Sequence, residues 1–104
     1  STTTMPGLAV ELTRLLLDGP PAEAIALADA LGSPATYPAS KLAVAHWVRR
    51  QATRPEWAGA GITLNAVAPG ETETGMLAEG RADAKYGPLI DAFPTPVGRS
   101  GRPD

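Results

Sequence analysis

Apolar residues recur at helical spacing along the first half of the chain. The first predicted helix covers residues 7–17, where four leucines share one face: Leu8, Leu12, Leu15 and Leu16. The DGPP stretch that follows contains helix-ending residues, and an alanine-rich second helix is predicted over residues 21–31. After a break at residues 32–34, a third helix is predicted from residue 37 to residue 50 or beyond.

A different pattern occupies residues 61–70, GITLNAVAPG. Its apolar residues would face both sides of a strand, which is typical of strands buried within a parallel sheet. Helix, short turn and buried strand make half of a repeating α/β unit, so the predicted fold class is α/β. A single strand cannot form a sheet, and we expect its partner strands to lie outside these 104 residues.

The last third of the chain, residues 71–104, has weak periodicity and repeated glycine and proline. One short helix is predicted there, around residues 83–93. The remainder is predicted to be a lid or a loop region that faces a binding site.

Composition excludes several classes of function. Eleven acidic and nine basic residues give a net charge of -2, which provides no basic surface for nucleic acid. The chain has no cysteine, a single histidine (His46), and no apolar run of the ~20 residues that cross a bilayer. We therefore expect a soluble, cytoplasmic protein with no metal site. Only 5% of the residues are aromatic, so a chain of this size standing alone should be marginally stable.

Tyr37 and Lys41 are the first candidates for chemistry. Because they are four apart on a predicted helix, their side chains share one face and can interact. An ammonium beside a phenol stabilises the phenolate and lowers the pKa of a tyrosine from its reference of ~10. Such a tyrosine can donate and accept protons, although the same spacing also arises by coincidence in ordinary helices.

Three stretches together resemble the short-chain dehydrogenase/reductase family. They are YPASK at residues 37–41, NAVAPGETETGM at 65–76 and PVGRSGRPD at 96–104. The resemblance covers residues 36–104. Within the family, the LNAVAPGETET, KYGPLIDAF and PVGR stretches are similar to the bacterial hydroxysteroid dehydrogenase and carbonyl reductase branch.

The resemblance implies a fold and a reaction. Residues 1–104 would be the C-terminal catalytic part of a single Rossmann-like domain with a doubly wound parallel sheet. The reaction would be hydride transfer between a nicotinamide cofactor, NAD or NADP, and a carbonyl or secondary alcohol, a hydroxysteroid being one candidate. Family members are commonly homodimers or homotetramers, often through the helix that carries the tyrosine, so we expect a homo-oligomer.

The resemblance also implies roles for individual residues. Tyr37 would be the acid/base that exchanges a proton with the substrate oxygen. Lys41 would stabilise the ionised tyrosine and hydrogen-bond the nicotinamide ribose, so both residues would contact the cofactor. The rest of the predicted cofactor site comes from the turn after the strand: Pro69, Gly70, Thr72 and Thr74.

In that turn, Pro69 and Gly70 would shape the backbone at the carboxyl end of the sheet, where open α/β sheets bind ligands. The backbone of Thr72 and the hydroxyl of Thr74 would meet the nicotinamide carboxamide. Residues 76 and 77 would begin a mobile loop that closes over substrate.

One departure from the family is the absence of its Gly-rich phosphate-binding loop and of the residue that selects NAD or NADP. We therefore expect the N-terminal, cofactor-binding half of the domain to be a separate chain or a missing segment. The chain by itself should then be inactive. A serine at position 1 also permits the hypothesis of self-cleavage, with Met removal and proteolysis as alternatives.

The second departure concerns the family's catalytic serine, whose usual position is Ala24 in this chain. Family branches with a helical insertion carry that serine further upstream, and residues 1–35 would then be such an insertion. The serine would lie before Ser1 or be Ser1 itself, whereas Ser33 is interpreted as a turn or cap residue. The alternative to an enzyme is a non-catalytic fragment or binding module that keeps the fold without turnover.

Overall fold

The computed structural model describes residues 9–104, and the regular structure in that range is helical. Its α-helices, in chain order, are α1 (Val10–Asp18), α2 (Pro21–Leu31), α3 (Ser33–Gln51), α4 (Gly75–Ala82) and α5 (Gly87–Asp91). A short 3-10 turn, Ala58–Ala60, follows α3. The chain divides into two compact units, Ser1–Val67 and Ala68–Asp104, so that α1 to α3 belong to the first and α4 and α5 to the second.

The first unit is held together mainly by the packing of α1 against α3. Leu12 of α1 and Ala39 of α3 are fully buried, and Leu15 and Ala43 extend the same contact. Alanine lets the backbones of two helices approach closely because its side chain ends at Cβ, and leucine then fills the remaining space. With Ala24 contributed by α2, this core is built from small side chains.

The three predicted helices of this unit are present, with changes at their ends. α2 has the predicted bounds, while α1 ends at Asp18 and the first residues predicted for it, 7 and 8, lie outside the described residues. α3 begins at Ser33, four residues before the predicted start. The earlier start follows from Gly32, whose φ of 79° lets the chain turn directly from α2 into α3, and from Pro34, which fits a first helical turn.

The predicted parallel sheet is not confirmed. Residues 62–70 have no regular secondary structure, and Ile62 and Val67, which the pattern placed in a buried strand, are 50% and 87% exposed. A strand is stabilised by hydrogen bonds to a neighbour, and the described residues contain no strand that could pair with this one. The α/β character predicted for the chain is therefore not seen in residues 9–104, which are helical.

The second unit contains two helices where the sequence predicted one. Helix α4 covers residues expected to form a loop, and α5 lies within the predicted 83–93 segment. The two helices approach each other closely at two glycines, where a larger side chain would not fit. A Cβ added at Gly80 would lie 2.8 Å from Cδ1 of Ile90, and a Cβ added at Gly87 would lie 2.6 Å from the carbonyl oxygen of Arg81. Gly87 is buried at this close approach between the helices.

Asp83 organises the turn between α4 and α5. Its Oδ1 accepts hydrogen bonds from the backbone N–H of Lys85 at 2.7 Å and of Tyr86 at 3.0 Å. The hydrogen bond from Tyr86, followed by that from Lys85, holds the pKa of Asp83 below its usual 3.8.

We predict that this turn weakens in acid. Because the pKa of Asp83 is depressed in the folded chain, the carboxylate stabilises the turn above its unfolded pKa, and that stabilisation is lost as the pH falls through the lowered folded pKa. The measurement is amide hydrogen exchange at Lys85 and Tyr86 between neutral and acid pH, compared with Asp83→Asn. The Asn variant keeps a side-chain oxygen but does not titrate, so the same acid transition in both proteins would contradict the assignment.

Gly87→Ala should destabilise the second unit. A Cβ only 2.6 Å from the Arg81 carbonyl forces the two helices apart, and overpacking of this kind costs about 1–3 kcal/mol. The matched control is Gly75→Ala, at the start of α4, where an added Cβ meets nothing within 4 Å. Amide exchange at Ile90, whose N–H donates to the Tyr86 carbonyl, reports the change. Equal exchange of the Ile90 amide in the two variants would show that the close approach at Gly87 does not stabilise the second unit.

Candidate active site

Tyr37 lies on the solvent-facing side of α3, whose opposite face is buried. Pro38 and Ala39, the two residues after it, are buried against the rest of the first unit. Tyr37 itself is 56% exposed. Its backbone carbonyl accepts a hydrogen bond of 2.8 Å from the hydroxyl of Ser40, one turn along α3. Tyr37 therefore lies on the outer face of a packed helix.

Lys41 lies one helical turn after Tyr37, and the structure brings the two side chains together as their spacing predicted. The Lys41 ammonium is 5.4 Å from the centroid of the Tyr37 ring, within the range of a cation–π contact. Both residues are exposed. The pair therefore places a positive charge beside a phenol that small molecules can reach.

The other predicted site residues lie in the second unit. Pro69 and Gly70 are exposed and have no regular secondary structure. Thr72 forms an isolated parallel bridge with Gly101, and its hydroxyl donates to the Gly70 carbonyl at 3.2 Å. Thr74 is the N-cap of α4, and its Oγ1 accepts a hydrogen bond of 3.2 Å from the backbone N–H of Leu77. The segment predicted to begin a mobile loop is thus the first turn of a capped helix.

A cluster around Glu71 was not predicted as part of the site. The Glu71 carboxylate accepts from Arg81 at 2.6 Å and from the Ser100 hydroxyl, both through Oε1. These partners are 10 and 29 residues away along the chain. No local spacing rule links residues so far apart, so only the folded chain reveals the cluster.

The remaining candidates from the sequence are less informative. Ala24, at the usual position of the family serine, is buried in α2 and has no hydroxyl, and Ser1 lies outside the described residues. Ser33 is the first residue of α3 and Gly32 is the N-cap, so the interpretation of Ser33 as a cap residue is not confirmed. In residues 9–104, no three side chains of the types that bind metals are grouped to hold an ion. No helix in that range is long and apolar enough to cross a membrane.

Comparison with known proteins identifies the family. The model of the short chain dehydrogenase family matches residues 26–85, which is more than half of the chain. This range contains Tyr37, Lys41 and the turn from Pro69 to Thr74. The chain belongs to the short-chain dehydrogenase/reductase family.

Individual relatives agree with this assignment. The chain is 42% identical over 72 residues to a 3-alpha-hydroxysteroid dehydrogenase/carbonyl reductase of Comamonas testosteroni, covering 69% of this chain and 27% of that protein. It is 36% identical over 100 residues to an uncharacterised short-chain type dehydrogenase/reductase of Sinorhizobium fredii, covering 93% of this chain and 18% of that protein. The chain thus spans less than a third of the length of these relatives.

A solved structure is also similar. It is the crystal structure of the 3-alpha-hydroxysteroid dehydrogenase from Pseudomonas sp. B-0831 complexed with NADH, with a TM-score of 0.84 and 39% sequence identity. The match covers 98% of this chain and 40% of that one. These similarities confirm the predicted resemblance to the hydroxysteroid dehydrogenase branch.

The cap of α4 gives a direct prediction. Thr74→Ala removes the oxygen that accepts from Leu77, and loss of an N-cap costs about 1 kcal/mol of helix stability. Thr74→Ser keeps that oxygen and is the matched control. The measurement is amide exchange at Leu77 without ligand, where faster exchange is expected in the Ala variant alone. Faster exchange of the same size in both variants would mean that the hydroxyl is not the stabilising group.

Proposed function

We propose that this chain is the C-terminal catalytic part of an NAD- or NADP-dependent short-chain dehydrogenase/reductase. The observation that carries the proposal is the contact between the Lys41 ammonium and the exposed Tyr37 ring on α3. It is supported by the family match, which covers both residues, and by the relatives named as hydroxysteroid dehydrogenases. The substrate we propose is a carbonyl compound or secondary alcohol, with a hydroxysteroid as the leading candidate.

In the proposed reaction, Tyr37 handles the proton. During alcohol oxidation the ionised phenol takes the proton of the substrate hydroxyl, and during carbonyl reduction the neutral phenol gives a proton to the substrate oxygen. Lys41, whose ammonium lies 5.4 Å from the centre of the Tyr37 ring, places a positive charge beside the phenol and would hydrogen-bond the nicotinamide ribose. A bound nicotinamide supplies the hydride acceptor or donor.

The second unit supplies the proposed nicotinamide contacts. Thr72 is fixed by its bridge to Gly101, and Thr74 is fixed at the start of α4. In the Thr74 cap the hydroxyl oxygen is an acceptor, so its O–H remains a donor for a carboxamide oxygen. Pro69 and Gly70 shape the preceding turn. These residue types fit a carboxamide, which both donates and accepts hydrogen bonds.

We propose that this chain acts as part of a larger assembly. The phosphate-binding half of the domain would be a separate chain or a further segment, and residues 1–35 would be a helical insertion. An apolar groove of about 300 Å³ lies between α1 and α3, lined by Leu16, Leu17, Ser40, Ala43, Val44 and Trp47. Exposed apolar surfaces of this kind are typical of protein contacts, which supports a homo-oligomer through α3. We propose a cytoplasmic location.

The test is Tyr37→Phe in the assembled enzyme, whose second half is first identified by native mass spectrometry. Removing the acid/base group should lower kcat by about 100-fold or more, because proton transfer contributes about 10²–10⁴-fold to such reactions. Dinucleotide affinity should change little, since the ring and its contact with Lys41 remain.

Tyr86→Phe is the matched control, because Lys85 lies over the Tyr86 ring at a similar distance of 5.5 Å. It should keep parental turnover. Full activity in Tyr37→Phe would refute the catalytic assignment. Dinucleotide binding without any turnover in the parental protein would favour a binding module over an enzyme.

A further inference from the structure

Glu71 is a nearly buried carboxylate in the second unit. Its side chain is only 9% exposed, whereas every other carboxylate that forms an ion pair in residues 9–104 is more than half exposed. Its Oε1 accepts from the Arg81 guanidinium at 2.6 Å and from the Ser100 hydroxyl. The Arg81 side chain is 45% exposed, so only the carboxylate of this pair is shielded from water. Hydrogen bonds that involve charged groups are nevertheless stronger than neutral ones.

The backbone reinforces this contact on both sides of Thr72. The Gly101 N–H donates to the Glu71 carbonyl at 2.8 Å, and the Glu73 N–H donates to the Gly101 carbonyl at 2.9 Å. Thr72 is therefore held between two hydrogen bonds to the same glycine. The Ser100 contact to the Glu71 side chain lies next to this bridge, so it aligns the two segments that the bridge joins.

The same carboxylate also anchors helix α4. Arg81 lies in the last turn of α4, while Thr74 caps the first turn. The segment from Glu71 to Thr74 is thus fixed at one end by the cap and at the other by the ion pair to the far end of the helix. Arg81 also approaches Asp91 of α5 at 3.7 Å, which extends the link to the second helix.

We propose that Glu71, through Arg81 and Ser100, is the positioning residue that sets Thr72 and Thr74 for the nicotinamide. This inference rests on the proposed function, since it concerns the contacts assigned there to those threonines. Glu71 acts through its neighbours and touches neither cofactor nor substrate. Loss of its carboxylate releases three attachments at once: the ion pair to α4, the hydroxyl contact and the alignment of the Gly101 bridge.

The test compares two ligands in the assembled dehydrogenase. One is the nicotinamide dinucleotide, and the other is the corresponding ADP-ribose, which lacks the nicotinamide ring. Glu71→Ala should weaken dinucleotide binding and lower kcat about tenfold each, because small displacements of positioning groups have effects of this size or larger. Binding of the ADP-ribose should be unchanged, since the threonines would contact only the nicotinamide.

Two further variants distinguish a positioning role of Glu71 from a general loss of stability. Glu71→Gln keeps an oxygen that accepts from both partners, so it should recover part of the loss. Glu73→Ala is the matched control, because the Glu73 side chain is exposed and forms no hydrogen bond or ion pair with any of residues 9–104. It should bind both ligands as the parental enzyme does.

Arg81→Met tests the ion pair from the other side. It leaves the Glu71 carboxylate, whose side chain is 9% exposed, with only the Ser100 hydroxyl as a side-chain partner, which is unfavourable for a largely buried charge. The variant should therefore weaken dinucleotide binding at least as much as Glu71→Ala. Combining Glu71→Gln with Arg81→Met should restore part of the affinity, because the unpaired charge is then gone.

The outcomes are distinguishable. Equal weakening of both ligands by Glu71→Ala, or no weakening of either, would overturn the positioning role while leaving the proposed function intact. A parental assembly that binds neither ligand would instead refute the proposed function. Selective loss of dinucleotide binding, with partial recovery in Glu71→Gln, would establish Glu71 as the positioning residue.

Discussion

The packing of α1 against α3 is the interaction on which the first unit depends. Leu12 and Ala39 are fully buried where the helices meet, and α3 is thereby fixed with one face inward. Tyr37 and Lys41 lie on the outer side of the same helix, so the burial that stabilises the unit also determines which residues remain accessible. A short core of leucine and alanine can do this because small side chains permit a close helix approach.

A helix forms its hydrogen bonds within one segment, whereas a strand requires a neighbour. This difference explains why the helical patterns of the first half were reliable and the strand pattern at residues 61–70 was not. The bounds of α2 could be predicted from its alanine-rich, in-phase pattern together with the proline and glycine at its ends. The apolar residues of GITLNAVAPG predict a strand only where other strands are present, and Val67 is exposed in the described structure.

Part of the candidate site could be predicted from the sequence, and part could not. The Tyr37–Lys41 contact could be predicted because both residues lie on one helix at a spacing that places side chains on the same face and within reach of each other. Helix α4 was predicted as a loop, since its glycines at 75 and 80 weaken the helical pattern. Its cap, Thr74, is a recognisable helix start, but the resemblance had assigned that residue to cofactor binding. One hydroxyl oxygen can serve the cap while its proton serves a ligand.

Burial of the Glu71 carboxylate, which is 9% exposed beside a 45% exposed Arg81, distinguishes this ion pair from the others. The Glu11–Arg14 and Asp18–Arg50 pairs are equally short, at 2.5 Å and 2.7 Å, but all four side chains are more than half exposed. Water and salt screen such pairs, so they can be broken with little effect on the structure. The Glu71 carboxylate is screened far less, and it joins segments that are distant in the sequence. A contact of that kind fixes local geometry, which is what orienting a nicotinamide would require.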